Sequence, residues 1–170
     1  LNRLIDHEIE LAKSGKQGRI ILKMNALQDP AMIERLYEAS QAGVKTDLIV
    51  RGICCLIPGR KFSRNIRVTR IVDTFLEHAR VWYFGNGGKP KLFLGSPDWM
   101  RRNLYRRIEA VTPILDPDLK RELSDMLSIQ LSDKRKACFV DDRLHNRWKS
   151  ARPQKEKIRA QYTFYEYLKS

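Results

Sequence analysis

The strongest constraint on the fold is a pair of apolar runs separated by one helical pattern. Residues 19–24 and 46–51 are each strand-sized and rich in Ile, Leu and Val. Between them, Asp29-Pro30 is typical of the first turn of a helix, and Gly43 is typical of the position just after its end. Such β-α-β units almost always have parallel strands joined by a right-handed crossover. The first fifty residues therefore predict an α/β domain.

The remaining elements are predicted from periodicity and from turn residues. Further strands are predicted at residues 65–69, 79–84, 91–94, 107–114 and 136–140. Further helical segments are predicted at residues 2–13, 71–77, 97–99, from residue 116 onwards and at 156–168. Gly85-Asn86-Gly87-Gly88 is typical of a hairpin turn, and the basic stretch 146–157 is predicted to be mobile. We expect a single α/β domain over residues 1–170.

Composition limits the classes of partner. The chain has 33 Lys and Arg against 20 Asp and Glu, a net charge of +13. Net charge bears on partners rather than on fold. Nucleic acid, an anionic membrane surface and a phosphate-rich ligand or polymer all fit, and so does a solvated basic surface with no partner. No apolar run approaches the roughly 20 residues that span a bilayer.

Three further features concern the cellular setting. The chain starts at Leu1 without an initiator Met or a signal peptide, so we expect it to be part of a longer protein. Its three cysteines, two of them adjacent (Cys54 and Cys55), do not suit a disulfide framework. No second ligand pair stands at zinc spacing. We expect reduced thiols in the core of a cytoplasmic protein.

One histidine stands out as a candidate for chemistry. His78 precedes a predicted strand, and Arg80 follows two residues later, on the same face if both residues are extended. His7 lies on the predicted amphipathic helix 2–13 and His145 in a polar stretch, and both are expected at the surface. The alternative for His78 is an imidazole that caps the preceding helix or bonds to Asp73 or Glu77.

A candidate phosphate ligand lies at the end of the second parallel strand. Arg51 stands at the edge where ligands gather in open α/β sheets. An arginine that completes an apolar run needs a buried partner or an anionic ligand. Its planar guanidinium group can donate to two phosphate oxygens at once. Gly52 would let a ligand approach the backbone closely. The alternative is a salt bridge to Asp47 or Glu77.

A second arginine is expected to complete the site. Arg107 opens the predicted strand 107–114, which would aim its side chain beside His78. Glu109 would lie on the same face, so an ion pair is the rival interpretation. Taken together, His78 is the candidate catalytic residue, and Arg51, His78 and Arg107 are the candidate phosphate ligands.

Several stretches follow one order along nearly the whole chain. They are residues 21–25 (ILKMN), 48–54 (LIVRGIC), 71–78 (IVDTFLEH), 84–88 (FGNGG), 98–100 (DWM), 107–109 (RIE) and 112–117 (TPILDP). In these stretches the chain resembles the C-terminal domain of bacterial polyphosphate kinase, of the type with a phospholipase-D-like fold. The resemblance implies that fold here: a mixed β-sheet flanked by helices, forming the second such domain of a longer enzyme.

The resemblance also implies an activity for the full-length protein. Polyphosphate kinase reversibly transfers the γ-phosphoryl of ATP to inorganic polyphosphate, through a phosphohistidine and with Mg²⁺. That histidine belongs to the preceding domain, so we expect this chain alone to be inactive and Mg²⁺ to be bound mainly outside it. By position, Arg51 and His78 match family residues that contact the nucleotide phosphates, and Arg107 matches another active-site arginine.

The resemblance further implies the partners. They are ATP or ADP, inorganic polyphosphate, the preceding domains of the same chain and, in the full-length form, further copies of the protein. The resemblance implies a cytoplasmic location, and the basic surface leaves peripheral membrane association open. Nucleic acid is not expected, because the chain has no helix-turn-helix spacing, zinc finger or RNP-type aromatic pair.

The wider phospholipase D pattern is only half kept. His78 and Gly95-Ser96 fit its His-x-Lys-x4-Asp and Gly-Ser elements, but Arg80 stands in place of Lys and Gly85 in place of Asp. A phosphodiesterase that pairs two copies of His78 in a dimer is therefore the least favoured of the three functions considered, after the kinase domain and a nucleic-acid-binding module.

Overall fold

The two apolar runs become neighbouring parallel strands at the centre of one sheet, in a computed structural model that describes residues 1–149 and 158–169. The strands are β1 (Arg19–Met24), β2 (Lys45–Val50), β3 (Ile66–Ile71), β4 (Arg80–Phe84), β5 (Lys91–Gly95), β6 (Val111–Ile114), β7 (Ala137–Val140) and β8 (Asn146–Trp148). Their order across the sheet is β6-β5-β4-β1-β2-β3-β7-β8. Strands β1, β2 and β3 are parallel, and the other neighbouring pairs are antiparallel.

Helices cover both faces of the sheet. They are α1 (Asn2–Lys13), α2 (Pro30–Gln41), α3 (Arg101–Arg106), α4 (Pro117–Ser132) and α5 (Ala160–Tyr167). On one face, Leu22 and Leu48 belong to a core shared with α1 and α2. On the other face, Ile21 and Ile49 pack against residues of α4 and α5. Because β1 is covered on both sides, its residues 20–24 are all buried, as is typical of parallel strands.

Two helices begin where the sequence predicts. The Asp29 carboxylate accepts a hydrogen bond from the Met32 N–H at 3.0 Å at the start of α2. The Asp116 carboxylate accepts from the N–H groups of Asp118 and Leu119 at 2.8 and 2.9 Å at the start of α4. In both helices proline occupies the first turn, where no N–H is needed. The predicted β-α-β unit and the β4–β5 hairpin are likewise confirmed.

The predicted helix at 71–77 is wrong. Strand β3 continues through Ile71, and residues 72–79 form no helix or strand. A helix here would need an apolar face that packs against the rest of the domain. The apolar side chains of this segment are not buried, since Val72, Phe75 and Leu76 are 65%, 61% and 71% exposed. Hydrogen bonds to side chains far along the sequence fix this segment instead, a type of contact that local periodicity does not report.

Two predictions around α3 are also wrong. Residues 97–99 form no helical turn: Trp99 forms a β-bridge with Leu27, and α3 begins at Arg101. The predicted strand 107–114 is shorter, because residues 107–110 are irregular and only Val111–Ile114 pairs with β5. Arg107 therefore follows a helix rather than opening a strand.

The end of the chain differs from the predicted outline as well. Residues 146–148 of the stretch expected to be mobile form β8, which pairs with β7. Residues 150–157 of that stretch lie outside the described residues. The terminal helix was predicted at 156–168, and its described part is Ala160–Tyr167.

The cysteines only partly match the expected core thiols. All three are free, but only Cys54 is buried, while Cys138 is half-buried and Cys55 is exposed. Burial raises the pKa of the Cys54 thiol to about 11, so it stays protonated near neutral pH. In the described part of the chain, no helix is both long and apolar enough to cross a bilayer.

Candidate functional site

The carboxyl ends of β1 and β2 bring two polar side chains together. Asn25 is the first residue after β1, and Arg51 is the first residue after β2. Since the two strands are parallel and adjacent, these residues meet at one edge of the sheet. The Arg51 Nε–H donates to the Asn25 Oδ1 at 3.1 Å. The edge predicted for ligand binding is therefore polar and carries a half-buried guanidinium.

Asn25 is held in place by backbone contacts from both sides. Its carbonyl accepts from the Gly52 N–H at 2.8 Å. Its N–H donates to the Asp98 carboxylate at 2.7 Å, and that carboxylate also accepts from the Ala26 N–H at 3.2 Å. These bonds fix the loop after β1 between the loop after β2 and the segment before α3. The position of Asn25, and with it that of Arg51, is thus defined by distant parts of the chain.

His78 lies at the same edge. The Asn25 Nδ2–H donates to the His78 carbonyl at 3.5 Å. Arg80 contacts the same histidine twice, with its Nη1 3.1 Å from the Nδ1 atom of the ring and 3.1 Å from the carbonyl oxygen. A guanidinium group can only donate, so Nδ1 is the acceptor and the ring proton of this tautomer lies on Nε2. The exposed imidazole therefore has an N–H donor available at Nε2.

Arg80 is in turn held by Asp98. Its Nε and Nη2 atoms donate to the two carboxylate oxygens at 3.2 and 3.0 Å, a bidentate pair that is mostly buried. Burial alone would raise the pKa of the Asp98 carboxyl, but the hydrogen bonds from Arg80, Asn25 and Ala26 outweigh it, and the pKa is lowered. Asp98 is therefore an ionised anchor for both Asn25 and Arg80.

The carboxylates suggested as alternative partners are engaged elsewhere. Asp47 pairs with Arg19 at 2.5 Å, and Glu77 pairs with Lys23 at 2.9 Å. Asp73 pairs with the guanidinium of Arg159 at 2.7 Å. Among the described residues, neither Arg51 nor His78 has a carboxylate partner, so the salt-bridge alternatives are not realised in this structure.

Arg107 takes no part in the described hydrogen bonds of this cluster. It is exposed, and no contact among the described residues joins it to Arg51 or His78. The rival ion pair with Glu109 is also absent there, because the Glu109 carboxylate accepts from Ser96 and Asn103 instead. These two hydrogen bonds, together with the nearby charges of Arg107 and Arg80, lower the pKa of Glu109.

A cavity with mostly apolar walls lies beside Arg107. Its volume is about 400 Å³, and it is lined by Trp82, Phe93, Leu104 and Glu109 among others. Neither Arg51 nor His78 contributes to its wall. Two of the three predicted residues thus meet at Asn25. The third, Arg107, borders this cavity, and both it and Arg80 act electrostatically on Glu109.

Gly52 lies close against the backbone of Asn25. A Cβ atom at this position would lie 2.9 Å from the Asn25 carbonyl oxygen, so the absence of a side chain is needed for this approach. The approach of a ligand to Gly52 stays a prediction. We predict that Gly52→Ala destabilises the chain by about 1–3 kcal/mol, because the Asn25 backbone must shift. Urea unfolding would measure this, with Ile53→Ala as the control at an exposed neighbour. Unchanged stability of Gly52→Ala would contradict the close approach.

The sequence reasoning missed the residues that connect the site. Asn25, Arg80 and Asp98 link Arg51 to His78, yet none of them was predicted as a site residue. The signal for Asn25 was available, since it directly follows a parallel strand at the same edge as Arg51. Asp98 had no comparable signal, because its partners are 18 to 73 residues away.

The fold is that of the phospholipase D proteins. Over 73% of this chain and 84% of the solved one, the model resembles Nuc from Salmonella typhimurium, a phospholipase D family member, with a TM-score of 0.52 at 16% identity. At that identity the likeness shows the fold alone. The mixed sheet flanked by helices is thus phospholipase-D-like, as expected.

The family follows from closer comparisons. Residues 1–161 match the model of the family described as polyphosphate kinase C-terminal domain 2, and the chain belongs to that family. It is 47% identical over 171 aligned residues to polyphosphate kinase of Escherichia coli strain K12, covering 100% of this chain and 25% of that protein. The crystal structure of polyphosphate kinase from Porphyromonas gingivalis superimposes with a TM-score of 0.95 at 56% identity, over 98% of this chain and 26% of that one. The chain spans about a quarter of the length of these relatives.

Proposed function

We propose that this chain is the C-terminal catalytic-half domain of a longer polyphosphate kinase. The full-length protein would transfer the γ-phosphoryl of ATP reversibly to inorganic polyphosphate, through a phosphohistidine carried by a preceding domain. Membership of the family supports the assignment, as does the quarter of each relative that the chain covers. The observation that carries it is the meeting of Arg51 and His78 at Asn25, with neither residue engaged by a carboxylate among the described contacts.

Arg51 would bind phosphate oxygens of the nucleotide. Only its Nε–H is used in the described contacts, by Asn25, so both Nη groups remain as donors. Two parallel N–H donors match two oxygens of one phosphate, a geometry that lysine cannot reproduce. The Asn25 contact orients the guanidinium before the ligand arrives, which lowers the entropy lost on binding.

His78 would act as a hydrogen-bond donor to a phosphate oxygen through Nε2. Phosphoryl transfer depends mainly on positioning and on neutralising charge at the transferring oxygens. Because Arg80 Nη1 donates to Nδ1, the ring N–H of this tautomer lies on Nε2 and would be the donor to the phosphate oxygen.

Arg107 would act at a second position along the substrate. It is exposed, borders its own cavity and shares no described contact with Arg51 or His78. A chain of linked phosphates, with about one negative charge per unit, could contact both positions. The excess of Lys and Arg, +13 overall, would favour such a polymer over a single phosphate.

The described residues offer no complete set of ligands for magnesium. The described residues contain no group of three His, Cys, Asp or Glu side chains arranged to hold a metal ion. The carboxylates nearest the site are engaged, Asp98 by Arg80 and Glu109 by Ser96 and Asn103. We therefore propose that the Mg²⁺ implied by the family is bound mainly by other domains, and we assign it no step here.

The cellular setting is part of the same proposal. The full-length protein would be cytoplasmic and would form homo-oligomers, and this chain would contact its preceding domains. Its basic surface is compatible with peripheral membrane association.

A phosphodiesterase function is less well supported by this chain. Gly85 stands where the phospholipase D pattern requires Asp, and even a Cβ atom at this position would lie 2.9 Å from the Arg19 Cβ.

The test uses the full-length protein with ATP and polyphosphate. We expect ADP formation that depends on polyphosphate, and ATP formation when ADP and polyphosphate are supplied. Binding of fluorescent polyphosphate should be displaced by unlabelled polyphosphate or ATP, and only weakly by duplex DNA at moderate salt. Equal displacement by DNA, without phosphoryl transfer, would indicate a general polyanion-binding module instead.

A further inference from the structure

The segment that carries His78 has little backbone support of its own. Residues 72–79 form no helix or strand, and within the described residues they make no backbone–backbone hydrogen bond. Val72, Phe75 and Leu76 are mostly exposed, so apolar burial contributes little to their placement. The position of His78 must therefore depend on side chains that reach the segment from elsewhere.

Two of those side chains come from the C-terminal helix region. Gln161 pairs with the Phe75 backbone in both directions: its Oε1 accepts from the Phe75 N–H at 2.8 Å, and its Nε2–H donates to the Phe75 carbonyl at 2.7 Å. Arg159 donates to both oxygens of Asp73 at 2.7 and 2.8 Å and to the Thr74 hydroxyl at 2.8 Å. This bidentate contact lowers the pKa of the Asp73 carboxyl, which keeps the pair charged.

The residue directly before His78 is bound from three elements. The Glu77 carboxylate accepts from Lys23 Nζ of β1 at 2.9 Å, from Gln130 Nε2 of α4 at 2.9 Å and from Gln161 Nε2 of α5 at 3.1 Å. Lys23 is 3% exposed, so its charge needs this partner. Gln161 thus contacts the segment at both Phe75 and Glu77, within three residues of His78.

Helix α5 is itself anchored to the sheet. The fully buried Asp133, which follows α4, accepts from the Ala160 N–H at 2.6 Å. The same carboxylate accepts from the N–H groups of Arg135, Lys136 and Ala137 at the entry to β7. Because Asp133 fixes the start of α5, the side chains of Arg159 and Gln161 can hold residues 73–77 in a defined position.

We propose that Gln161 and Arg159 are positioning residues for His78. They fix residues 73–77 from the C-terminal end of the chain, and so keep the imidazole at the edge shared with Arg51. The inference rests on the proposed role of His78 in phosphoryl transfer. It also means that phosphoryl transfer would require α5, although the described residues of this helix do not contact Arg51 or His78 themselves.

The experiment compares Gln161→Ala with Glu166→Ala in the full-length protein. Glu166 lies on the same helix, and its described side-chain contact is an exposed one with Lys169 at 3.7 Å. For Gln161→Ala we expect amide hydrogen exchange in residues 72–79 to accelerate about tenfold or more, because three hydrogen bonds are lost. We expect turnover to fall about tenfold, with a smaller change in the KM for ATP, because Arg51 remains in place. Glu166→Ala should change neither quantity.

A charge exchange tests the second contact. Asp73→Arg and Arg159→Asp should each lower turnover, because each places like charges together. The double variant restores an opposite pair at the same positions and should recover part of the turnover. Melting temperatures measured alongside would separate loss of folded protein from loss of positioning.

Two results would overturn the proposal. One is unchanged exchange in residues 72–79 of Gln161→Ala, which would mean that α5 does not fix the segment. The other is faster exchange with unchanged turnover per folded molecule, which would mean that the contact is structural only. His78→Ala, measured in parallel, tests the proposed function separately, because the exchange result does not depend on what His78 does.

Discussion

Replacing His78 by alanine in the full-length protein is expected to lower turnover by about 10²–10³-fold, the usual loss when one preorganised donor to a developing charge is removed. Stability should change by less than about 0.5 kcal/mol, because the imidazole is exposed and its described side-chain contact is the one with Arg80 Nη1 at 3.1 Å. Steady-state kinetics with ATP and polyphosphate, together with thermal unfolding, would measure both quantities.

A matched control is available in the same chain. His145 is also exposed, and its side chain lies 3.8 Å from the Asp141 carboxylate in a polar turn. His145→Ala should leave turnover unchanged, which separates the loss of a particular imidazole from the loss of any surface histidine. Turnover of His78→Ala close to that of the original protein would remove His78 from the mechanism.

Asp98→Asn is expected to destabilise the chain by about 3 kcal/mol, the scale for removing one partner of a buried ion pair. Asp98 is 8% exposed and is bonded to Arg80 and to the N–H groups of Asn25 and Ala26. An asparagine can still accept hydrogen bonds, but it leaves the Arg80 charge without a counter-ion. Turnover should fall too, since Arg80 and Asn25 both contact His78. Urea unfolding at pH 7 would give the change in stability.

The loss of stability in Asp98→Asn should become smaller as the pH falls. The pKa of Asp98 is lower in the folded chain than its ordinary value of 3.8. The stabilisation by its carboxylate is therefore complete above the unfolded value and is lost as the pH falls through the folded value. The stability difference between the original chain and Asp98→Asn should shrink below about pH 4. A difference that stays constant down to pH 2 would contradict the ionised pair.

An exposed aspartate gives the comparison for this prediction. The side chain of Asp118 is 79% exposed, and it pairs with Arg121 at 2.8 Å on the surface of α4. Asp118→Asn should change stability by less than about 1 kcal/mol, because exposed ion pairs and charges near a helix terminus each contribute little. A similar loss in both variants would mean that burial of the Asp98 pair is not the cause.

Much of the fold could be predicted because its signals are local. The parallel pair β1 and β2 follows from two apolar runs around one helix, and that helix is marked by Asp29-Pro30 and Gly43. Arg51 was placed at the correct edge for the same reason: the carboxyl ends of parallel strands coincide. His78 was selected by its position before a strand and by Arg80 two residues later, and these two residues are in contact.

The failed predictions share a different cause. Residues 71–77 have helical spacing, but the structure uses their backbone for contacts with Gln161, which lies 86 residues from Phe75. Residues 107–110 were expected to extend a strand, yet the Ala110 N–H donates to the Ser96 hydroxyl, and Arg107 makes no described contact with His78. In each case a distant side chain, which local periodicity does not report, competes with regular secondary structure for the backbone.

The sequence alone determined the β-α-β core, the helix starts, the basic character and the identity of two residues at the candidate site, because propensity, periodicity and net charge belong to neighbouring residues or to the chain as a whole. Only the tertiary structure decided which residues meet. Asn25, Asp98 and Gln161 gain their roles from partners between 18 and 86 residues away. Their contacts form because the folded sheet and its covering helices bring these atoms within hydrogen-bonding distance, and a polar group removed from water is stable only when it finds such a partner.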